Sequence, residues 1–224
     1  MNITVMASAA FKEAYLELVP GFERATGHAV TSLWVPSMQM MNRLKGGEVV
    51  DVVILSAAAI DELIKAGIVS ERFDLAKSGV GVAVKAGAPK PDISSGEAVK
   101  RAVLAAKGIA YSMGPSGIYL AGLFQRMGIA DRIKHKVRQV QGEPAGAVAA
   151  RGEAEIAFQQ MSELLPVPGI ELVGPLPPDI QQITVFSAGM HVAARSPDGA
   201  RALVEFLTAP AAASVIRRKG MEPA

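Results

Sequence analysis

Short apolar runs rich in β-branched residues alternate along the chain with longer stretches whose apolar positions recur at a helical period. The runs are Ile3 to Ala7, Val30 to Val35, Val52 to Leu55, Val80 to Val84, Ile109 to Ser112, Val137 to Val140 and Ile156 to Gln159. Near-continuous apolar strands separated by helical segments predict βαβ units and a mainly parallel sheet covered on both faces. Helices are predicted from Ala9 to Ala25, Ala57 to Ala66 and Ser116 to Met127, because Gly27, Gly67 and Gly128 stand where left-handed C-caps fall. Pro20 lies inside the first of these and predicts a kink or a break just before it.

The final third reads differently. Ile183 to Ala194 forms one long strand pattern, Ser196-Pro197-Asp198 opens a helix carrying Ala202, Leu203, Phe206 and Leu207, and a last helix follows Pro210 and ends at Gly220. Leu165 to Pro178 reads as ordered turn material around a strand-like Ile170 to Val173. A break near Lys77-Ser78-Gly79 and the long strand near Thr184-Val185-Phe186 suit two crossings between lobes. Lobe one is then discontinuous, residues 1–79 and 186–224, and lobe two is residues 80–185. The pattern contains no internal repeat and no low-complexity segment.

One junction recurs: an apolar run, then Ser, then small residues opening a helix. It occurs at Val5-Met6-Ala7-Ser8-Ala9-Ala10 and Val52-Val53-Ile54-Leu55-Ser56-Ala57, and in variant form at Pro36-Ser37-Met38 and Gly114-Pro115-Ser116-Gly117. A helix start carries up to four unpaired N–H groups and roughly half a positive charge, so several starts facing one cleft hold an anion without any cation. The alternative for each Ser is to cap its own helix, worth about 1 kcal/mol.

Composition narrows the function classes. The chain has 224 residues, enough for one large domain or two lobes, and a formal charge of only +2. Half of the residues are hydrophobic and only 5% are aromatic, which suits close-packed α/β layers and speaks against a stacking surface for nucleic acid. Zero cysteines exclude disulfides, thiol nucleophiles and Cys-based zinc sites. No window approaches the ~18 apolar residues of a membrane span. Met1-Asn2-Ile3-Thr4-Val5 shows no secretory pattern, so the expected location is the periplasm if a signal has been removed and otherwise the cytoplasm. A monomer is expected.

No Walker loop, His-Glu-x-x-His or Gly-x-Ser-x-Gly motif is present. His28, His135 and His191 are far apart in sequence and read as structural, and no metal or cofactor is expected. The segment Ser112 to Tyr119 is the most specific feature. Gly114 and Gly117 let backbone approach a ligand, Pro115 stiffens the turn, and Ser116 offers a hydroxyl. Gly142-Glu143-Pro144-Ala145-Gly146 opens another helix after a strand. Lys77 stands beside the proposed crossing, and Gln159 and Gln160 end a strand where their amides can donate to a ligand oxygen or satisfy backbone. Trp34 and Tyr111 read as core.

At these residues the chain resembles the type II periplasmic solute-binding proteins, and among them the molybdate-binding components of ABC transporters. The resemblance covers nearly the whole length. It rests on Ala7-Ser8-Ala9, Ser37, Gly46-Gly47-x-x-x-Asp51-Val52-Val53-Ile54-Leu55-Ser56-Ala57 and Pro115-Ser116-Gly117-Ile118-Tyr119. It implies an α/β, two-lobed periplasmic-binding-protein-like (type II) fold with mixed, mainly parallel sheets and two hinge crossings. A small anion is then captured between the lobes, with an ABC transporter permease as partner. Carried over by motif, Ser8, Ala9 and Ser37 contact the ligand from lobe one. Ser116, Gly117, a backbone N–H near Ala145, and Gln160 do so from lobe two, with Lys77 at the hinge. Gln160 stands where the family usually has Tyr, and an amide in place of a phenol changes both pocket size and donor geometry relative to the molybdate binders, so the anion is an oxyanion or an organic carboxylate. The chain also resembles aconitate isomerase, which implies a cofactor-free isomerase of an unsaturated polycarboxylate. Such an enzyme needs one base, for which Lys77, Glu143 and His191 are the residues considered.

Overall fold

The structure, a computed structural model, describes residues 2–224. In chain order the elements begin β1 (Asn2–Ala7), α1 (Lys12–Thr26), β2 (Ala29–Trp34), α2 (Ser37–Lys45), β3 (Val52–Ser56), α3 (Ala57–Lys65) and β4 (Val69–Lys85). They continue α4 (Gly96–Ala105), β5 (Ile109–Ser112), α5 (Pro115–Arg126), α6 (Ala130–Ile133), β6 (Val137–Val140), α7 (Ala145–Ala150), β7 (Ile156–Gln160), α8 (Met161–Leu164) and β8 (Ile170–Pro175). The last are β9 (Ile183–His191), α9 (Pro197–Thr208), α10 (Ala213–Arg218) and β10 (Glu222–Pro223). The chain forms two compact units, one of residues up to Ser78 with Thr184–Ala224, the other Gly79–Ile183.

In the first unit the strands lie in the order β2-β1-β3-β9, with β1 parallel to β2 and β3, and β9 antiparallel to β3. Alternation along the strands sorts their side chains to two faces. Ile3, Val5, Val52 and Ile54 pack under α1 and α9 with Phe11, Tyr15, Phe22, Leu203 and Leu207. Met6, Val53 and Leu55 pack on the other face with Met40 and Leu44 of α2 and Ile60 and Leu63 of α3. The second unit has the order β4-β7-β5-β6, with β8 antiparallel to β4. Val80, Val82, Tyr111 and Phe158 meet α4 and α5 on one face. Ala110 and Ala157 meet α7 through Ala145, Val148 and Ala149 on the other.

Three expectations change. Pro20 does not break its helix: α1 runs from Lys12 to Thr26 and ends at Gly27, whose φ is 70°. The carbonyl that Pro20 leaves without a donor belongs to Leu16, which is 48% exposed. No break falls at Lys77-Ser78-Gly79 either, because β4 is one strand of 17 residues through that point. The long strand expected to run to Ala194 is β9 and stops at His191, where the Ala193 N–H turns back to His191 Nδ1 at 3.0 Å.

A buried carboxylate ties the first unit together. Asp51, 2% exposed, accepts from the Thr4 N–H and hydroxyl, both at 2.7 Å, from the Arg195 N–H at 2.7 Å and from the Ser196 N–H at 2.8 Å. It joins β1, the entry to β3 and the entry to α9. Burial works to raise its pKa, but these hydrogen bonds outweigh burial and hold it below the ordinary 3.8. Replacing Asp51 by Ala strands these donors and is expected to cost about 3 to 5 kcal/mol in urea denaturation. Because the folded-state pKa is depressed, the stabilisation is complete above pH 3.8 and is lost as pH falls through the folded-state value. The variant is therefore expected to show a shallower acid limb than the parent.

Candidate functional site

Both units place helix starts at the carboxyl ends of parallel strands, the edge at which open α/β sheets bind ligands. In the first unit β1 and β2 end side by side, with Ala7 opposite Trp34 and the Val35 N–H donating to the Ala7 carbonyl at 3.1 Å. The Ser8 N–H donates to the Ile54 carbonyl at 3.0 Å, which draws the end of β3 to the same point. Ser8 then leads through a 3-10 turn, Ala9–Phe11, into α1. Its hydroxyl caps nothing: Ser8 is 6% exposed and its Oγ has no hydrogen-bond partner. Ser37 is the first residue of α2 and Ser56 precedes α3, again without side-chain capping bonds at these helix starts. The hydroxyls are thus not engaged as caps, the alternative role their positions allow, whereas Ser95 does cap α4 through the Ala98 N–H at 3.2 Å.

At the end of β2 stands a cation that sequence reasoning missed. Lys12 holds its ammonium 5.5 Å from the centroid of the Trp34 ring. Trp34 is braced by Tyr15, edge to face at 5.4 Å, and the Tyr15 hydroxyl is 2.8 Å from Ser32 Oγ. Burial pushes the Tyr15 phenol up to about 12 against the pull of that hydrogen bond. The ring is therefore a fixed platform at the end of β2.

In the second unit β5 ends at Ser112 and α5 begins at Pro115. Ser116, 2% exposed, lies 3.3 Å from the Ser112 hydroxyl, which also accepts from the Gly114 N–H at 3.3 Å. Gly117 makes a close backbone approach, but to its own strand: a Cβ there would fall 1.5 Å from the Ser112 carbonyl oxygen. The glycine sets α5 against β5 and so aims Ser116. The Ala145 N–H is also engaged internally, donating to Gln159 Oε1 at 2.7 Å. Gln159 Nε2 in turn donates to Glu163 Oε1 at 2.9 Å. Burial pushes the Glu163 carboxyl up to about 7, against the Gln159 hydrogen bond that pulls it down. Gln160 is fully buried at the start of α8, and the neighbouring Ser162, 3% exposed, has a hydroxyl without a hydrogen-bond partner.

Lys77, Glu143 and His191 complete the residues singled out in sequence. Lys77 is exposed on β4 opposite Glu222 of β10. Glu143 is forked by Arg151 at 2.7 and 3.0 Å, which holds its carboxyl below the usual range. His191 accepts at Nδ1 from the Ala193 N–H and hydrogen-bonds the Glu48 backbone, and burial lowers its pKa. Neither group is open to take a proton from a substrate. Among the described residues no group of three His, Asp or Glu side chains could hold a metal ion.

The family model of bacterial extracellular solute-binding proteins matches residues 3–222. An aconitate isomerase from a Pseudomonas species is 40% identical over 230 residues, covering 99% of this chain and 88% of that protein. Among solved structures, the periplasmic molybdate-binding protein of Azotobacter vinelandii superposes with a TM-score of 0.80 at 19% identity, covering 98% of each chain. The sulfate-binding protein of Mycobacterium tuberculosis H37Rv gives 0.76 at 19% identity, covering 100% of this chain and 87% of the other. These two likenesses show the shared fold. By the match over residues 3–222, the chain belongs to the bacterial extracellular solute-binding protein family.

Proposed function

We propose that the chain binds a small unsaturated tricarboxylate and interconverts its isomers, as an aconitate isomerase. The observation that carries this reading is the 40% identity over 99% of the chain to a protein of that activity. The binding chemistry is consistent with it. Ser8, Ser37 and Ser116 stand at helix starts that favour negative charge, and Lys12 supplies a cation. The reaction moves an allylic proton, and substrate carboxylates conjugated with the allyl system take up part of the developing charge. Helix starts and an ammonium stabilise the remainder without a metal.

A second reading rests on the family match and the oxyanion-binding neighbours: a receptor that captures a small anion outside the cell membrane and delivers it to an ABC-type permease. Both readings use the same hydroxyls and differ in whether the ligand is changed.

Incubation of the pure protein with cis- or trans-aconitate, followed by chromatography, separates them. Conversion of either isomer is expected; stabilisation by aconitate without conversion favours the receptor. Stabilisation by molybdate, tungstate or sulfate alone discards the tricarboxylate. Saturation at about 100 times the dissociation constant raises stability by roughly 2.7 kcal/mol, visible as a melting shift. Ser8→Ala and Ser116→Ala are each expected to weaken aconitate binding by about 1 to 3 kcal/mol in calorimetry. Loss in one unit alone would confine the contacts to that unit. Lys12→Met is expected to raise the dissociation constant about tenfold and to flatten its dependence on salt.

A further inference from the structure

We propose that Glu163 is the general base of the isomerisation, removing the allylic proton and returning it at the far carbon. The inference rests on the isomerase reading above and adds the residue that performs its chemical step.

Placement comes first. β5 and β7 are parallel neighbours, with Tyr111 opposite Phe158, so both strands deliver their carboxyl ends to one edge of the second unit. At that edge β5 ends at Ser112, ahead of Ser116, and β7 ends at Gln160, from which α8 carries Ser162 and Glu163. Glu163 is half-buried and forms no ion pair, and the only side-chain hydrogen bond it makes among the described residues is the one it accepts from Gln159. That bond uses one lone-pair direction of Oε1, and among the described residues no side chain donates to Oε2. The other carboxylates of this unit stand differently. Glu143 and Glu153 are held by Arg151, Glu171 by Lys90, and Asp179 accepts the Gly96 N–H at the start of α4.

Two further observations agree. The Glu163 carboxyl is pushed up to about 7 by burial, so near neutral pH it both accepts and returns a proton readily. The buried Ser162 hydroxyl beside it, without a partner, marks the same edge as one that has polar groups to offer a ligand.

The step balances without another reactant. The methylene C–H bond breaks and its electron pair enters the allyl system, conjugated with the substrate carboxylates. The proton forms an O–H bond to a Glu163 carboxylate oxygen. That bond then breaks as the proton joins the other terminal allyl carbon, whose new C–H bond takes the pair back. The double bond has moved by one carbon and Glu163 is again a carboxylate.

Glu163→Gln keeps an oxygen able to accept from Gln159 Nε2 and removes the proton acceptor. The variant is expected to bind trans-aconitate within about threefold of the parent by calorimetry and to lose kcat by about 10²- to 10⁴-fold. A kcat within tenfold of an active parent overturns the assignment and leaves the isomerase reading standing. A residue that only positions Gln159 would instead leave kcat largely intact in this variant and raise KM in Glu163→Ala. Should Glu163→Gln fail to fold, Glu163→Asp takes its place, with kcat expected to fall at least tenfold at unchanged KM and unaltered kcat overturning the proposal. A parent that converts neither aconitate isomer overturns the isomerase reading and this assignment together.

Discussion

The Asp51 carboxylate is the constraint on which the first unit depends. A buried charge persists only when its lone pairs are matched by donors, and Asp51 draws them from the start of β1 and from the turn into α9, 144 residues away for Arg195. Once those ends are fixed, the register of Val5 to Ala7 against Val52 to Ile54 follows, and with it the coincidence of the ends of β1 and β3. Ser8 occupies that point because its N–H continues the ladder to the Ile54 carbonyl while its side chain has nothing left to bond. A polar network at one end of the sheet thus determines where an uncompensated hydroxyl appears at the other.

In the second unit steric fit does what charge does in the first. No side chain can stand at Gly117, because the Ser112 carbonyl already fills the place of its Cβ. The first turn of α5 consequently lies directly on the end of β5, and Ser116 is buried beside Ser112 rather than splayed to solvent. The glycine that resembles a ligand cradle in sequence acts one step earlier, by holding the helix start that presents the hydroxyl. α7 is different. Its opening N–H is turned onto Gln159 and the helix is only 6 residues long, whereas α5 has 12.

Much of the fold was legible because it is written in local alternation. Ile3 to Ala7 and Val52 to Leu55 are apolar on both faces, as strands covered by helices must be, and Gly27, Gly67 and Gly128 all adopt the positive φ that their places after helices predict. The first half of β4 was overlooked although Val69, Glu71, Phe73 and Leu75 alternate with Ser70, Arg72, Asp74 and Ala76. Charged residues on a half-covered strand masked the period of two. At the site, the serine junctions could be read because a strand end and a helix start are sequence features. Lys12 and Glu163 could not be singled out in the same way. Which lysine sits over an aromatic ring is decided by a partner on another element, as Lys12 and Trp34 show, and which glutamate escapes an arginine is decided by side-chain directions that the spacing of Arg151 and Glu143 does not reveal.

The Gln159 amide links these observations into one device. Its oxygen must face the Ala145 N–H and its NH₂ must face an acceptor, so a carboxyl group at Glu163 fixes the orientation of the amide. Either protonation state of Glu163 satisfies that need, because an ionised carboxylate and the carbonyl oxygen of a carboxylic acid both accept from Nε2. The arrangement around Glu163 therefore survives the gain and loss of a proton without rearrangement of α7 or α8. An arginine in place of Gln159 would hold the carboxylate ionised and depress its pKa, as Arg151 does to Glu143. A hydrocarbon in its place would leave the Ala145 N–H buried and unpaired. An amide is the side chain that orients the acid, satisfies the helix start and still leaves the acid free to titrate, which is the combination a base that takes and returns the same proton requires.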